Sequence, residues 1–182
     1  MRFGVRRFYL TDRKELCVHH LPPTHLRIDC MRGAVKNTIK ILTIEDDSAQ
    51  IEALKEALTV AQIICVEIHE AEDGDQAMGF LLQQYPFMDA PEPDLIFLSD
   101  TLPDRSVHEI IKELQADGRL KHIPLAIFSE STHTQLKNFP APLPPNYHLF
   151  QRPQTCDEWI YVLRCIEDVW TTLLSISGTP NI

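Results

Sequence analysis

Short apolar runs recur along the chain, separated by stretches in which apolar residues return every three or four positions. Five of these runs predict β-strands, at residues 39–44, 63–68, 95–99, 123–128 and 147–151. The third run, which follows Asp94, has almost no polar interruption before Ser99. A continuous apolar run of this length is typical of a strand that is buried on both faces of a parallel sheet.

The stretches between the strands predict amphipathic helices. Their apolar positions repeat with helical spacing, at residues 51, 54 and 58, at 77, 80 and 81, at 107, 110, 111 and 114, and at 159, 162, 163, 166, 170 and 173. Two helices are predicted to begin with capping boxes, formed by Asp47 with Gln50 and by Thr155 with Glu158. The alternation of strands and helices predicts an α/β fold with a five-stranded, parallel, doubly wound sheet.

One segment interrupts this alternation. Where a fourth helix is expected, between the fourth and fifth strands, the chain carries Pro140, Pro142, Pro144 and Pro145. Proline removes a hydrogen-bond donor and clashes with the preceding turn inside a helix. The fourth helix is therefore predicted to be interrupted by proline and short, at about residues 132–139.

The composition limits the compartment and the partners. The chain has 44% hydrophobic and 24% charged residues, as in an ordinary globular protein, and no apolar run approaches the roughly 18 residues of a membrane span. Its first residues lack the apolar core of a signal peptide, and its five cysteines suggest no disulfide framework. We therefore expect a cytoplasmic protein without membrane contact.

The first residues differ from the rest of the chain in charge. Residues 1–40 carry nine Lys and Arg against three Asp and Glu, whereas residues 41–182 carry eight against 23. The acidic main body is expected to repel nucleic acid, and the basic arm is interpreted as a solvated extension. Residues 1–37 are predicted to be an extension that is disordered or not native; if translation starts at Met31, residues 1–30 are a translation artefact. Metal-ligand residue types occur here at spacings that match no paired zinc site, at Cys17, His19, His20, His25 and Cys30.

Polar side chains follow the carboxyl ends of four predicted strands. They are Glu45 and Asp46 after the first strand, Ser99 and Asp100 at the third, Ser129 at the fourth, and Arg152 after the fifth. Ligand sites in open α/β sheets lie at this edge, where the ends of adjacent strands converge. We expect these side chains to line one pocket.

These residues and their context resemble response-regulator receiver domains, most of all the small stand-alone regulators that pair with cyanobacterial phytochromes. The matching phrases are Ile-Glu-Asp-Asp at 44–47, Pro-Asp-Leu-Ile-Phe-Leu at 93–98, Leu-Lys-His-Ile-Pro at 120–124, Arg-Pro at 152–153 and Ile-Glu-Asp-Val-Trp at 166–170. The resemblance covers about three quarters of the chain. It implies a flavodoxin-like receiver domain over residues 38–174, followed by a C-terminal tail at 175–182.

The resemblance also implies a chemistry, the transfer of a phosphoryl group from a phosphohistidine to an aspartate. In the family, an acidic pair holds Mg²⁺ together with the acceptor aspartate, and a hydroxyl and a lysine contact the phosphoryl oxygens. Glu45 and Asp46 match the acidic pair, and Ser129 matches the hydroxyl. The acceptor position holds Ser99, and the lysine position holds Arg152.

These two departures change the expected chemistry. A serine hydroxyl is not a competent nucleophile without an adjacent base, so Ser99 is predicted to be a degenerate acceptor. The remaining carboxylates, Glu45 and Asp46, predict no bound metal or weak Mg²⁺. Arg152 keeps the positive charge of a lysine in a planar fork, and we hypothesise that it pairs with Glu45 or Asp46 and neutralises them without a metal.

Asp100 is an alternative acceptor, one residue beyond Ser99. Successive side chains of a strand point to opposite faces, so Asp100 is expected to point away from the pocket. A bulge at the end of the strand would redirect it. The sequence therefore leaves two hypotheses open, a pseudo-receiver and a working receiver with a displaced acceptor.

The function predicted from these residues is that of a response regulator in two-component phosphorelay signalling, with a single receiver domain and no output domain. It is predicted to act through protein contacts and not as an enzyme. Expected partners are a sensor histidine kinase or phytochrome-like protein, and a second copy bound through the last helix, which carries Trp159, Val162 and Trp170. No nucleic-acid contact is expected, because only about ten residues follow that helix.

Overall fold

Strands and helices alternate along the residues that the computed structural model describes, which are 38–63, 66–130 and 143–166. The strands are β1 (Ile39–Ile44), β2 (Val66–Ala71), β3 (Leu95–Ser99), β4 (Leu125–Ser129) and β5 (Tyr147–Gln151). The helices are α1 (Ser48–Val60), α2 (Gly74–Leu81), α3 (Val107–Ala116) and α4 (Cys156–Cys165), with a 3₁₀ turn at Leu120–His122.

All five strands belong to one parallel sheet in the order β2-β1-β3-β4-β5. The chain passes from β1 to one edge of the sheet and then returns to the other side of β1, so the order reverses between β1 and β3. This confirms the predicted doubly wound, flavodoxin-like fold. It also places the topological switch point, where ligands bind in such sheets, beside the carboxyl ends of β1 and β3.

The central strand, β3, separates two cores. Leu95 and Phe97 pack in a cluster with α1 and α4, whereas Ile96 and Leu98 pack in a cluster with α2 and α3. All five residues of β3 are buried, as predicted for a strand covered on both faces. Packing on both faces of the sheet therefore fixes the positions of the residues at its carboxyl edge.

The second strand begins three residues later than the sequence predicted. Ile63 belongs to the end of α1: its N–H donates to the Leu58 carbonyl at 3.0 Å, while the Gln62 N–H donates to the Thr59 carbonyl at 3.0 Å and Gln62 has a φ of 58°. These bonds form a Schellman ending, which places an apolar residue after the cap. The predicted second strand is confirmed, but its predicted bounds of 63–68 were wrong: Ile63 closes a helix, and the strand runs over Val66–Ala71.

The two predicted capping boxes are only partly formed. Asp47 caps α1 by accepting from the Ala49 N–H at 2.9 Å, but its own N–H donates to Glu45 Oε1 at 3.1 Å. Gln50 therefore has no role in a box. At α4, Thr155 Oγ1 accepts from the Glu158 N–H at 3.3 Å, as predicted.

The loop after β3 is fastened to the start of α2. The Asp104 carboxylate accepts from the N–H groups of Gly74 at 2.9 Å and Asp75 at 2.8 Å, which is favourable at a helix N-terminus. Arg105 donates to Asp75 at 2.5 Å and to Glu113 at 2.7 Å. A Cβ on Gly74 would lie 2.9 Å from the Arg105 Cβ, so the close approach requires glycine. These contacts fix the segment that leaves the carboxyl end of β3.

Three sequence predictions concern residues outside the described ranges. They are the extension at 1–37, the short fourth helix at 132–139 and the tail at 175–182. Within the described ranges, none of the helices combines the length and the apolar character that crossing a bilayer requires.

Candidate functional site

Three of the predicted site residues meet at the carboxyl edge of the sheet. Arg152 Nη2 donates to both carboxylate oxygens of Glu45 at 2.5 Å and to Ser99 Oγ at 2.8 Å. Arg152, Glu45 and Ser99 are 7%, 6% and 1% exposed. One buried guanidinium thus bridges the ends of β1 and β3, as hypothesised for Glu45 but not for Asp46, which is exposed.

Strand alternation explains why these three side chains converge. Ser99 continues the face of β3 that carries Leu95 and Phe97, which is the face covered by α1 and α4. Arg152 follows β5 on the same face as Phe150, and its N–H donates to the Ser129 carbonyl at 2.8 Å. The sheet therefore directs the hydroxyl and the guanidinium toward the same side.

Glu130 is a site residue that the sequence analysis missed. Arg152 Nη1 donates to Glu130 Oε1 at 2.9 Å, and the Glu130 side chain is 60% exposed. The available signal was a carboxylate directly after a strand end, next to Ser129. With Glu130, the guanidinium contacts two carboxylates, one buried and one at the surface.

Ser129 is the last residue of β4 and is 1% exposed. Leu125 and Ile127 of β4 pack in the cluster with α2 and α3, and strand alternation assigns Ser129 to the same face. That is the face opposite to the one from which Ser99 and Arg152 extend, and the role of Ser129 as the phosphoryl-contact hydroxyl stays a prediction.

Asp100 also points away from the guanidinium, as expected. The Ile96 N–H donates to the Pro124 carbonyl at 3.0 Å, and the Asp100 N–H donates to the Phe128 carbonyl at 2.9 Å, with the same offset along the chain. The ladder is regular up to Asp100, so no bulge redirects its side chain. Its Oδ1 atom is buried and accepts no hydrogen bond within the described part of the chain.

Burial and charge act against each other in the ion pair. Burial raises the pKa of Glu45 above its ordinary value, and the hydrogen bonds from Arg152 and from the Asp47 N–H oppose this shift. Burial alone would lower the pKa of Arg152, but the hydrogen bonds and charges of Glu45 and Glu130 outweigh it and raise that pKa. Arg152 therefore stays charged, and its charge replaces that of a counter-ion for Glu45.

These residues do not fit a divalent metal ion. A hard cation such as Mg²⁺ needs several oxygen ligands, preferably anionic. Both carboxylate oxygens of Glu45 accept from Arg152, and the Ser99 oxygen accepts from the same guanidinium. Among residues 38–63, 66–130 and 143–166, no group of three or more His, Cys, Asp or Glu side chains could hold a metal.

The chain also matches known proteins in sequence. No family model matches it. The response regulator Rcp1 of Synechocystis sp. is 34% identical to it over 91 residues, which are 50% of this chain and 61% of Rcp1. The matched segment thus spans less than two thirds of that relative.

Solved structures extend the match over most of the described fold. The phosphorylated cyanobacterial phytochrome response regulator RcpA superposes with a TM-score of 0.64 and 28% identity, over 74% of this chain and 95% of RcpA. The Mn²⁺-bound form of Rcp1 superposes with a TM-score of 0.60 and 26% identity, over 72% of this chain and 94% of Rcp1. The chain is a homologue of response-regulator receivers. The response regulator RPA3017, in red light signaling of R. palustris, has the same fold at 19% identity and a TM-score of 0.63, over 72% of this chain and 93% of RPA3017.

Among the described residues, the hydroxyl at the end of β3 contacts no base that would activate it. Ser99 Oγ accepts from Arg152 and lies 3.1 Å from Thr101 Oγ1. Neither partner is a general base, which a serine nucleophile requires. The geometry therefore supports an electrostatic bridge between strand ends more than a group-transfer site.

Removing Arg152 should leave Glu45 buried without its counter-charge. We expect Arg152→Ala to lower the free energy of unfolding at pH 7 by about 3–5 kcal/mol, because breaking one side of a buried pair strands the other charge. The pKa of Glu45 is raised in the folded protein, so Glu45 becomes protonated as the pH falls toward 4.5, its ordinary pKa. A protonated Glu45 needs no counter-charge, so the difference in the free energy of unfolding between wild type and variant should shrink at low pH. Urea unfolding at both pH values measures the two effects.

Two control variants accompany this measurement. Arg119→Ala removes an arginine whose side chain is 56% exposed and lies 3.9 Å from Asp117, and it should change stability by less than about 1 kcal/mol. The double variant Glu45→Gln, Arg152→Met removes both buried charges and should recover most of the loss. If Arg152→Ala costs no more than Arg119→Ala, the ion pair is not the main constraint at this edge.

Proposed function

We propose that this protein is a response regulator of two-component signalling that acts as a pseudo-receiver, through protein contacts and without phosphorylation at the acceptor position. The observation that carries this proposal is the contact of the Arg152 guanidinium with Glu45 and Ser99. The guanidinium brings a positive charge to the carboxylate that the family resemblance assigns to metal binding. The relationship to the phytochrome response regulator RcpA supports the signalling class.

The proposal follows from the charge balance of the pocket. An acceptor aspartate would add a second carboxylate and would need a cation to offset the repulsion between them. Here Ser99 adds no charge, and Arg152 neutralises Glu45 directly. The charge of Glu45 is balanced by Arg152 without Mg²⁺ and without a phosphoryl group. We therefore propose that this protein has no cofactor requirement, and that the weak Mg²⁺ site expected at Glu45 and Asp46 does not form.

The same contact argues for a single conformational state. A ligand or modification shifts an equilibrium only if it interacts differently with two conformations. Arg152 connects the end of β5 to the ends of β1 and β3, and also to Glu130 after β4, in the unmodified chain. We therefore propose that the protein offers its partner one constitutive surface and does no enzymatic turnover.

The partner that we propose is a sensor histidine kinase or phytochrome-like protein in the cytoplasm.

A homodimer through the last helix also stays a prediction, but the residues that α4 exposes for it differ from the expected ones. Trp159 and Val162 of α4 are buried in the protein's own core, whereas Tyr161 is 67% exposed, and Trp170 lies outside the described residues. Sedimentation equilibrium on wild type and Tyr161→Ala tests this; a wild type that stays monomeric at high concentration contradicts the dimer.

A second candidate function is a working receiver that is phosphorylated on Asp100. One observation favours it: the Asp100 Oδ1 atom is buried and accepts no hydrogen bond from a described residue. Buried carboxylate oxygens usually have a partner, and in this second candidate the partner is a cation or a phosphoryl donor. Against it stand the regular ladder at Asp100 and the direction of its side chain, away from Glu45 and Arg152.

Intact-mass measurement after incubation with acetyl phosphate and Mg²⁺ distinguishes the two functions. We expect the wild-type protein to gain no phosphoryl group, since Ser99 lacks a base and Glu45 is paired with Arg152. The variant Ser99→Asp, Arg152→Lys restores the carboxylate and the lysine that the family resemblance places here, and it should gain one phosphoryl group.

The restored variant is the positive control for this experiment, because it shows that the fold accepts the donor. A wild-type gain that Asp100→Ala abolishes would replace the pseudo-receiver by a receiver with a displaced acceptor. A wild-type gain that survives in Asp100→Ala but disappears in Ser99→Ala would show that Ser99 is activated, and would also contradict the proposal.

A further inference from the structure

A small cavity lies next to the arginine pocket, on the α1 and α4 side of the sheet. Glu45 and Ser99, which bind Arg152, line it together with Thr43, Gln50 and Trp159, and apolar side chains of β1, α1, β3 and β4 form the rest of its wall. Its volume is about 10 Å³. A cavity of this size holds one water molecule at most.

Three side chains of this wall carry buried polar atoms that lack a hydrogen-bond partner among the described residues. They are Thr43 Oγ1, Gln50 Oε1 and Trp159 Nε1. Thr43 and Trp159 are each 4% exposed, so bulk water does not reach them. Since buried polar atoms in folded proteins are almost always paired, three unpaired atoms around one cavity require a common explanation.

The three atoms are chemically complementary to water. The indole N–H only donates, the amide oxygen only accepts, and the threonine hydroxyl can do either. One water molecule can accept from Trp159, donate to Gln50 and exchange a third hydrogen bond with Thr43. Three hydrogen bonds are the usual number for a buried water, whereas a metal cation would face the indole donor.

From this juxtaposition we propose that the cavity binds one water molecule, held by Trp159 Nε1, Thr43 Oγ1 and Gln50 Oε1. The water hydrogen-bonds α4 to β1 and to the first turn of α1. It explains why Gln50 does not complete the capping box at Asp47: its amide faces the cavity. The inference does not depend on whether the protein is phosphorylated.

The same cavity connects Trp159 to the arginine pocket. Glu45 and Ser99 belong to both, so a change at Arg152 alters the wall of the water site. Trp159 is thereby a positioning residue for the pocket, and its indole N–H is a built-in reporter. Trp159 and the Arg152 pocket are thus coupled through hydrogen bonds alone.

Nuclear magnetic resonance on the full ¹⁵N-labelled chain tests the water site. The chain has two tryptophans, and Trp170→Phe assigns the indole signal of Trp159. We expect a cross-peak between the Trp159 indole proton and water whose sign is opposite in NOE and ROE spectra, as a long-lived bound water gives. Proton exchange gives the same sign in both, so a cross-peak of that kind alone would overturn the proposal.

Substitution of the wall makes the test specific. Thr43→Val keeps the shape but removes the hydroxyl, and it should weaken the water cross-peak at least several-fold; Gln50→Met should act likewise if Thr43→Val fails to fold. Thr59→Val is the matched control, because the Thr59 hydroxyl is exposed and donates to the Lys55 carbonyl at 2.8 Å. A cross-peak that is absent in wild type, or equally strong in Thr43→Val, Gln50→Met and Thr59→Val, contradicts the site.

Discussion

The carboxyl edge of this sheet depends on one buried ion pair, between Arg152 and Glu45. Two charges that are removed from water lose hydration worth several kcal/mol each, and only close geometry with further hydrogen bonds offsets that loss. The structure supplies them: one nitrogen of the guanidinium contacts both oxygens of Glu45 and the hydroxyl of Ser99, and the other contacts Glu130. The ion pair thereby links the ends of β1, β3 and β5.

The identity of the cation matters for what the pocket can do. A metal ion is exchangeable, and its binding can be coupled to a second event such as phosphorylation. A guanidinium belongs to the chain, stays charged at any physiological pH and recognises carboxylates through a planar array of donors. With Arg152 in place, the receiver fold keeps its sheet, its switch-point location and its acidic residue, while the pocket has no open position for an exchangeable ion. This is the physical basis of the constitutive binding surface that we propose.

The sequence predicted correctly those elements whose residues serve a single structural role, such as burial in the core. The apolar run of β3 follows from burial alone, and the structure has this strand at the predicted residues, Leu95–Ser99. Failures occur where one residue type serves two roles. Ile63 has the side chain of a strand residue but closes α1, and Gln50 has the side chain of a capping residue but faces a cavity.

Side-chain partners across the sheet were harder to predict than the strands. The pairing of Arg152 with Glu45 was foreseen, because opposite charges at neighbouring strand ends attract. Its contact with Glu130 depends on the register of β4 against β5, which the sequence does not fix to one residue. The surface of α4 was misjudged for a related reason, since apolar residues suited to a partner are equally suited to the protein's own core.

A crystal structure grown in excess Mg²⁺, with Mn²⁺ as an anomalous substitute, would show whether Arg152 or a metal ion neutralises Glu45. We expect the Arg152 guanidinium to remain on Glu45 and Ser99, and no anomalous peak to appear beside Glu45 or Asp46. A hydrated metal ion bound to Glu45 and Asp46, with Arg152 turned away, would contradict it.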